Sequence, residues 1–361
     1  MIRDIAELAD GTTLQAEVGI VGAGFAGIEL ARYLGRHGVQ VVLLESGRSD
    51  FDPETQKLAR VDSVGKLLRT PDPNSSFTPY LPPIFRGETR LGQFGGTSNI
   101  WTGKWRMYDS LTFVKRPWVP YSGWPFGLEE LQPFYDEVAR DYGLEDFAAF
   151  ARSAANETKR KALGAAGLKL SFHFWEKETT RLAKRFSQGL QQAPTVDVLL
   201  GANATETVLD DNLERVQAMR FQSLDGRRFT LVASYFVLAT GGLEVARLLL
   251  ASDRQMAAGI GNRHGMVGRF FMGHPKHKRG TLRPGRAIKL ISGQTATQPR
   301  PGFQANFSLS DDVQQRQALL NHTIRFTPVT RWVIRLSASM RLRQPCGRRN
   351  RGGYYRRHWR F

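Results

Sequence analysis

Val18-Gly19-Ile20-Val21-Gly22-Ala23-Gly24-Phe25-Ala26-Gly27 opens the stretch whose reading decides the fold, and Val39-Gln40-Val41-Val42-Leu43-Leu44-Glu45 closes it. A short apolar strand runs into a glycine-rich turn. A helical run follows as far as His37, Gly38 ends it, and a second apolar strand finishes on a carboxylate. This order predicts a βαβ unit with the spacing of a dinucleotide-binding turn. Gly22 would permit the tight turn, and Gly24 would let backbone amides approach a pyrophosphate at the positive end of the helix. Gly27 would let the helix lie close on the strand, and Glu45 falls about where an acid meets a ribose hydroxyl pair. A chain with 36 glycines could hold such a turn for structural reasons alone. The flanking strands, Ala31 at a helix-packing position, Gly38 and Glu45 argue against that plainer reading.

At 361 residues the chain has room for about two domains with cores of their own. Its 41% hydrophobic and 23% charged residues are those of a globular protein. No stretch approaches the ~18 uninterrupted apolar residues of a membrane span. Met1-Ile2-Arg3-Asp4-Ile5-Ala6-Glu7 lacks the basic-then-apolar pattern of an export signal, so a cytoplasmic setting without a membrane partner is the expectation. The single cysteine, Cys346, excludes an intrachain disulfide and a cysteine-based metal site. The net charge of +18 is unevenly spread: residues 331–361 hold ten arginines and no acid or lysine, while the first 330 carry 41 basic against 33 acidic residues. The body is only mildly basic, so nucleic acid is not the expected partner of the whole chain.

Ser46-Gly47 turns the chain out of the second strand. Residues 50–90, punctuated by Pro53, Pro71, Pro73, Pro79, Pro82 and Pro83, read as a long surface excursion. Arg90-Leu91-Gly92-Gln93-Phe94-Gly95-Gly96-Thr97-Ser98-Asn99-Ile100-Trp101-Thr102-Gly103 is too glycine-rich for the interior of a helix or strand. Backbone offered to a flat polar ligand accounts for it, and so does a plain surface turn. The aromatics between Trp105 and Phe126 read as core filling before a binding box. Residues 127–143 form an amphipathic helix, and 151–193 look helical with a solvated basic face. Val196–Leu200 resumes strand character, and Val216–Leu224 is predicted to pair with Arg228–Ala233 across Asp225-Gly226. Tyr235–Leu238 then leads into Ala239-Thr240-Gly241-Gly242 and a helix from Leu243. A second strand–glycine–helix unit so late makes the nucleotide-binding sheet discontinuous in sequence.

Four stretches, in this order, carry a family resemblance: the opening fingerprint; Phe94-Gly95-Gly96-Thr97-Ser98-Asn99-Ile100-Trp101; Gly123-Trp124-Pro125-Phe126 with Leu128–Val138; and Leu238–Glu244 running on to Gly268-Arg269-Phe270-Phe271-Met272-Gly273-His274-Pro275. The chain resembles the glucose–methanol–choline family of flavoprotein oxidoreductases, over roughly residues 14–275. The resemblance implies an α/β fold in which a discontinuous Rossmann-like FAD-binding domain, 14–100 and 195–275, holds an inserted α+β substrate domain with an antiparallel sheet, 101–194 and 276–330. It implies FAD as cofactor, with Gly22, Gly24, Phe25, Ala26 and Gly27 at the pyrophosphate and Glu45 and Ser46 at the adenosine ribose. Gly95, Gly96, Thr97, Ser98, Asn99 and Trp101 would lie on the flavin side, Ala204 would offer backbone to the adenine, and Ala239, Thr240 and Gly241 would close over the cofactor. In some relatives a histidine after the double glycine carries the flavin covalently. Ile100 stands at that position, so the FAD is expected to be non-covalent. Gly265 and Gly273 replace acids the family often has there.

The resemblance also implies hydride transfer from the CH–OH group of a sugar, polyol or related alcohol to flavin N5, with a separate electron acceptor. The family's base is a histidine of a C-terminal segment. Nothing after about residue 330 resembles that segment, so the catalytic residues stay unassigned. A non-catalytic flavin-binding fragment is the alternative. Residues 331–361 read as a frame-shifted or truncated end lacking strand or helix periodicity; a basic tail for anionic partners is the rival reading. His274 and His277 invite a metal, but no carboxylate or cysteine stands at a suitable spacing, so none is expected. His322 and His358 fall in no motif, and no Gly-x-Ser-x-Gly elbow supports a hydrolase.

Overall fold

The computed structural model describes residues 1–60, 90–144, 157–176, 179–271, 277–282, 302–330 and 333–338. The chain begins with β1 (Ile2–Asp4), β2 (Thr13–Val21), α1 (Phe25–Arg36), β3 (Val41–Glu45) and α2 (Pro53–Lys57). It continues through β4 (Lys104–Trp105), α3 (Leu128–Asp141), α4 (Glu157–Ala165), β5 (Leu168–Trp175) and α5 (Leu182–Gln192). Next come β6 (Val196–Leu200), β7 (Asn203–Leu209), β8 (Val216–Gln222), β9 (Arg228–Leu238) and α6 (Gly242–Ala251). The remainder is β10 (His277–Leu282), β11 (Gly302–Leu309), α7 (Asp311–Arg316), β12 (Thr323–Thr330) and β13 (Val333–Ala338). Two compact units result, Met1–Trp101 with Thr180–Met272, and Thr102–Thr179 with Gly273–Phe361.

The first unit is a seven-stranded sheet in the order β1-β6-β3-β2-β9-β8-β7. The first five strands are parallel, and β9, β8 and β7 continue as an antiparallel meander. Parallel strands are buried on both faces and therefore read as unbroken apolar runs. All five residues of β3 are buried, including the terminal Glu45. On α1 the buried residues are Gly27, Ile28 and Ala31, so a narrow apolar stripe lies against the sheet. Each fully buried Ile or Leu of this core contributes roughly 1.5–3 kcal/mol. Both sheet edges are capped by glutamine side chains. Gln191 Oε1 accepts from Ile2 N on β1 at 2.7 Å, and Gln255 both accepts from Leu209 N and donates to Leu209 O on β7. Such caps satisfy edge groups that would otherwise template another chain.

The order β6-β3-β2-β9 puts a topological switch at β2, whose chain leaves toward β3 while β9 returns on the opposite flank. Ligands of open α/β sheets bind outside the carboxyl ends of the strands at such a point. Here those ends are Val21 and Leu238, which face each other in register.

The second unit holds a six-stranded antiparallel sheet, β10-β13-β12-β11-β5-β4. Two expectations are corrected there. Residues 151–193 are not uniformly helical, because β5 runs through them and pairs with β11 over its whole length. Leu168, Leu170, Phe172 and Phe174 alternate with Lys169, Ser171 and His173, a period of two that the many basic residues obscured. Against the expectation of no strand within residues 331–361, β13 pairs with both β10 and β12. Its Val333-Ile334-Arg335-Leu336-Ser337-Ala338 is rich in strand formers, and the surrounding arginines masked them. In the first unit, the hairpin's return strand and Tyr235–Leu238 are one continuous strand, β9. The expectations for Pro71–Pro83, Gly273, His274, Pro275, Cys346, His358 and the arginines beyond 338 fall outside the described residues.

Candidate cofactor site

Three segments meet at the carboxyl ends of β2 and β9. Gly22 adopts φ +101°, and a Cβ there would stand 2.7 Å from the Ala239 carbonyl oxygen and 3.0 Å from Thr240 Cα. Only glycine lets these two backbones touch. The join is bonded as well, with Ala239 N donating to Val21 O at 2.7 Å and Gly22 N to Leu44 O at 2.7 Å. Gly27 faces the same turn from the helix side: a Cβ on it would fall 1.9 Å from Gly22 O. The loop from Leu91 to Trp101 supplies the third side. Gly95 N donates to Ala23 O at 2.9 Å, and a Cβ on Gly96 would lie 3.0 Å from Gly24 Cα.

Within this cluster some backbone is close-packed and some is open. A Cβ on Gly24, Gly241 or Gly242 would meet nothing within 4 Å. Helix α1 starts at Gly24 with no side-chain cap and no acid in its first turn. The amides of a helix's first turn have no partner within the helix, and the helix dipole makes that end attractive to anions. The Thr240 hydroxyl is buried without a hydrogen-bond partner. An uncapped, acid-free helix start beside open glycine backbone and an unsatisfied hydroxyl fits the diphosphate of a dinucleotide.

Glu45 is buried at the end of β3. Its Oε2 accepts from Ala23 N at 2.8 Å and its Oε1 from Gly47 N at 2.9 Å. Burial pushes its carboxyl above the usual value, and the Gly47 and Ala23 amides and the Ser46 hydroxyl pull it back. The carboxylate therefore braces the glycine turn from within. Oε1 also accepts from the Ser46 hydroxyl at 3.3 Å, so it is Oε2 that keeps a second lone pair for a ligand hydroxyl. Ala204 lies two residues beyond the Gly201-Ala202 turn, whose amides donate to Gly47 O and Glu45 O. That places its backbone at the same sheet end.

The loop residues divide by role. Ser98 is fully buried, and its hydroxyl donates to Gly95 O at 2.6 Å while accepting from Leu182 N at 3.1 Å. It fastens the loop to the start of α5. Asn99 Nδ2 donates to Phe94 O at 2.9 Å, folding the loop on itself. Trp101 donates to Thr180 O at 2.8 Å and meets Phe25 edge-on with centroids 4.6 Å apart. Thr97 is exposed, and Phe25 and Ala26 open α1. Several residues of this cluster escaped the sequence reading: Gln56, Arg90 and Glu244 hold the loop and the second turn, and Arg181 donates to the Ser98 and Trp101 carbonyls. A polar side chain within a turn-rich stretch carries no periodic signal, so only proximity reveals it.

A family profile described as an FAD binding domain matches residues 15–56. The chain is 24% identical over 304 residues to 2-methyl-1,2-propanediol dehydrogenase of Mycolicibacterium austroafricanum, covering 72% of this chain and 55% of that protein. This match supports the resemblance to the glucose–methanol–choline flavoenzymes. This flavoprotein chain is also 24% identical over 322 residues to the fructose dehydrogenase large subunit of Gluconobacter japonicus, covering 73% of this chain and 59% of that protein. It thus spans somewhat over half the length of these curated relatives. A solved structure of formate oxidase superposes with a TM-score of 0.50 at 14% identity, over 92% of this chain and 73% of that one, which supports the fold. The cofactor is FAD, and the open turn and helix start described above fit it. Among the described residues no group of three or more His, Cys, Asp or Glu could hold a metal ion, and no helix is long and apolar enough to cross a membrane.

Proposed function

We propose that this chain serves an FAD-dependent oxidoreductase acting on the CH–OH group of a sugar, polyol or related alcohol, with the electrons passing to a separate acceptor. The observation that carries the reading is the meeting of Gly22, Ala239–Thr240 and Gly95–Gly96 around backbone that stays open at Gly24 and Gly241. The names of the two relatives, a diol dehydrogenase and a fructose dehydrogenase, supply the substrate class. When bound, FAD would accept hydride from the alcohol carbon. The chain's own residues bind and orient. The first-turn amides of α1 face the diphosphate, and Glu45 accepts from the ribose hydroxyls while bracing the turn. Gly95–Trp101 supports the flavin side, Ala204 offers backbone to the adenine, and the Thr240 hydroxyl finds a partner. In the proposed arrangement residues 14–100 and 195–275 bind the cofactor, and the antiparallel sheet contributes to substrate binding. With Ile100 offering no nucleophile to the flavin, the attachment is non-covalent.

The test is reconstitution. Purified chain offered FAD should retain flavin absorbance after desalting and release all of it on denaturation. Anaerobic addition of a panel of sugars and polyols should bleach the flavin bands. Chromophore kept by the washed, denatured protein would refute non-covalent attachment. Tight flavin binding with no bleaching by any alcohol or sugar would favour the non-catalytic alternative.

A further inference from the structure

The loop that carries Gly95–Trp101 starts at a side chain tied to both sides of the cluster. The Arg90 guanidinium pairs with Glu244 in the first turn of α6 and also donates to the Ala59 carbonyl just beyond α2. Its backbone is held too. Gln56 Nε2 donates to Arg90 O at 3.1 Å, and Gln56 Oε1 accepts from Gly92 N at 3.1 Å. Arg247 holds the other oxygen of Glu244 at 2.6 Å. The Arg90 and Glu244 side chains are 18% and 24% exposed, so the pair is partly withdrawn from water, where a charge interaction outweighs that of a surface pair.

The three segments of the cluster are linked pairwise. Gly22 touches Ala239–Thr240, and Gly95–Gly96 touches Ala23–Gly24. The third link, between the loop and the segment that follows Thr240, runs through Arg90 and Glu244, 154 residues apart in sequence. We propose that the Arg90–Glu244 pair is a positioning device for FAD: it sets the Gly95–Trp101 loop at a fixed distance from the Ala239–Gly241 turn. Neither side chain need touch the cofactor. The proposal rests on the reading of the cluster as an FAD cradle and adds residues that no nucleotide fingerprint contains.

Arg90→Ala and Glu244→Gln should each raise the FAD Kd about 10-fold or more, read by flavin fluorescence titration. The melting temperature of the FAD-free chain should shift by no more than a few degrees. The double variant should bind no more weakly than the weaker single, because the two residues act as one unit. Arg90→Lys keeps the charge and should recover most of the affinity. Should Arg90→Ala fail to fold, Glu244→Gln and Arg90→Lys carry the comparison under the same criteria. Single variants within twofold of the wild-type Kd, or losses that multiply in the double, would overturn the pair while leaving the cradle intact. A wild-type chain that takes up no FAD would overturn both.

Discussion

Helices α1 and α6 begin alike and are finished differently. Each follows a parallel strand and a glycine turn, and the two strands, β2 and β9, are neighbours in register. At α1 the capping residue is Gly24, with no side-chain cap and no acid in the first turn. At α6 the cap is Gly241, but Glu244 stands in the first turn and is held by Arg90 and Arg247. A helix's positive end is satisfied by any anion. In α6 the protein supplies its own carboxylate, and in α1 no first-turn acid does so, which suits the phosphate proposed above. The carboxylates near the two turns differ in the same sense. Among the described residues Glu45 is bonded by amides and a hydroxyl, and burial raises its pKa, whereas Glu244 has two arginines. On the proposed reading, one local pattern makes a binding site or a structural joint, depending on where the compensating charge comes from.

The comparison breaks most visibly at Gly27. An added Cβ would strike Gly22 O, which is backbone and cannot swing away. Gly27→Ala should therefore destabilise the fold by about 2–4 kcal/mol in urea melts and abolish FAD retention. The same change at Gly242, where a Cβ meets nothing, should be neutral or stabilising by up to about 1 kcal/mol. Equal losses at the two positions would erase the distinction.

Gly24→Asp sharpens it. Aspartate is a better helix cap than glycine by a few tenths of a kcal/mol, so the FAD-free chain should melt no lower than wild type. The new charge sits where the diphosphate would bind, and FAD affinity should fall on the order of 100-fold by titration. A variant that binds FAD as wild type does would move the phosphate site away from α1.

The smallest effect belongs to Glu45. A carboxyl whose folded pKa is raised contributes stability below its unfolded pKa and loses it as pH rises through the folded value. Glu45→Gln removes that dependence. Urea melts at pH 4 and pH 7 should show the variant gaining on wild type as pH rises. A gap that stays constant with pH, or shrinks, would show that the desolvated carboxylate is not the source.

Within this chain the sequence by itself determined the βαβ unit, the hairpin across Asp225-Gly226 and the late strand–glycine–helix turn. Each is fixed by local rules: apolar runs for buried strands, glycine where backbone must turn or approach, and a polar pair at a hairpin tip. The same rules, applied where arginine and lysine are dense, missed β5 and β13, because the basic residues flanking each short strand look like a solvated face until a partner strand is known. Only the tertiary structure decided that Ser98 fastens the loop to α5, that Gln56 grips Arg90 and Gly92, and that Arg90 meets Glu244. Those contacts join residues far apart in sequence, and a hydrogen bond between distant side chains leaves no periodic trace in either segment. Spacing located the glycine turn at Gly22–Gly27; the packing of glycine against backbone decided which of its positions are closed and which are open.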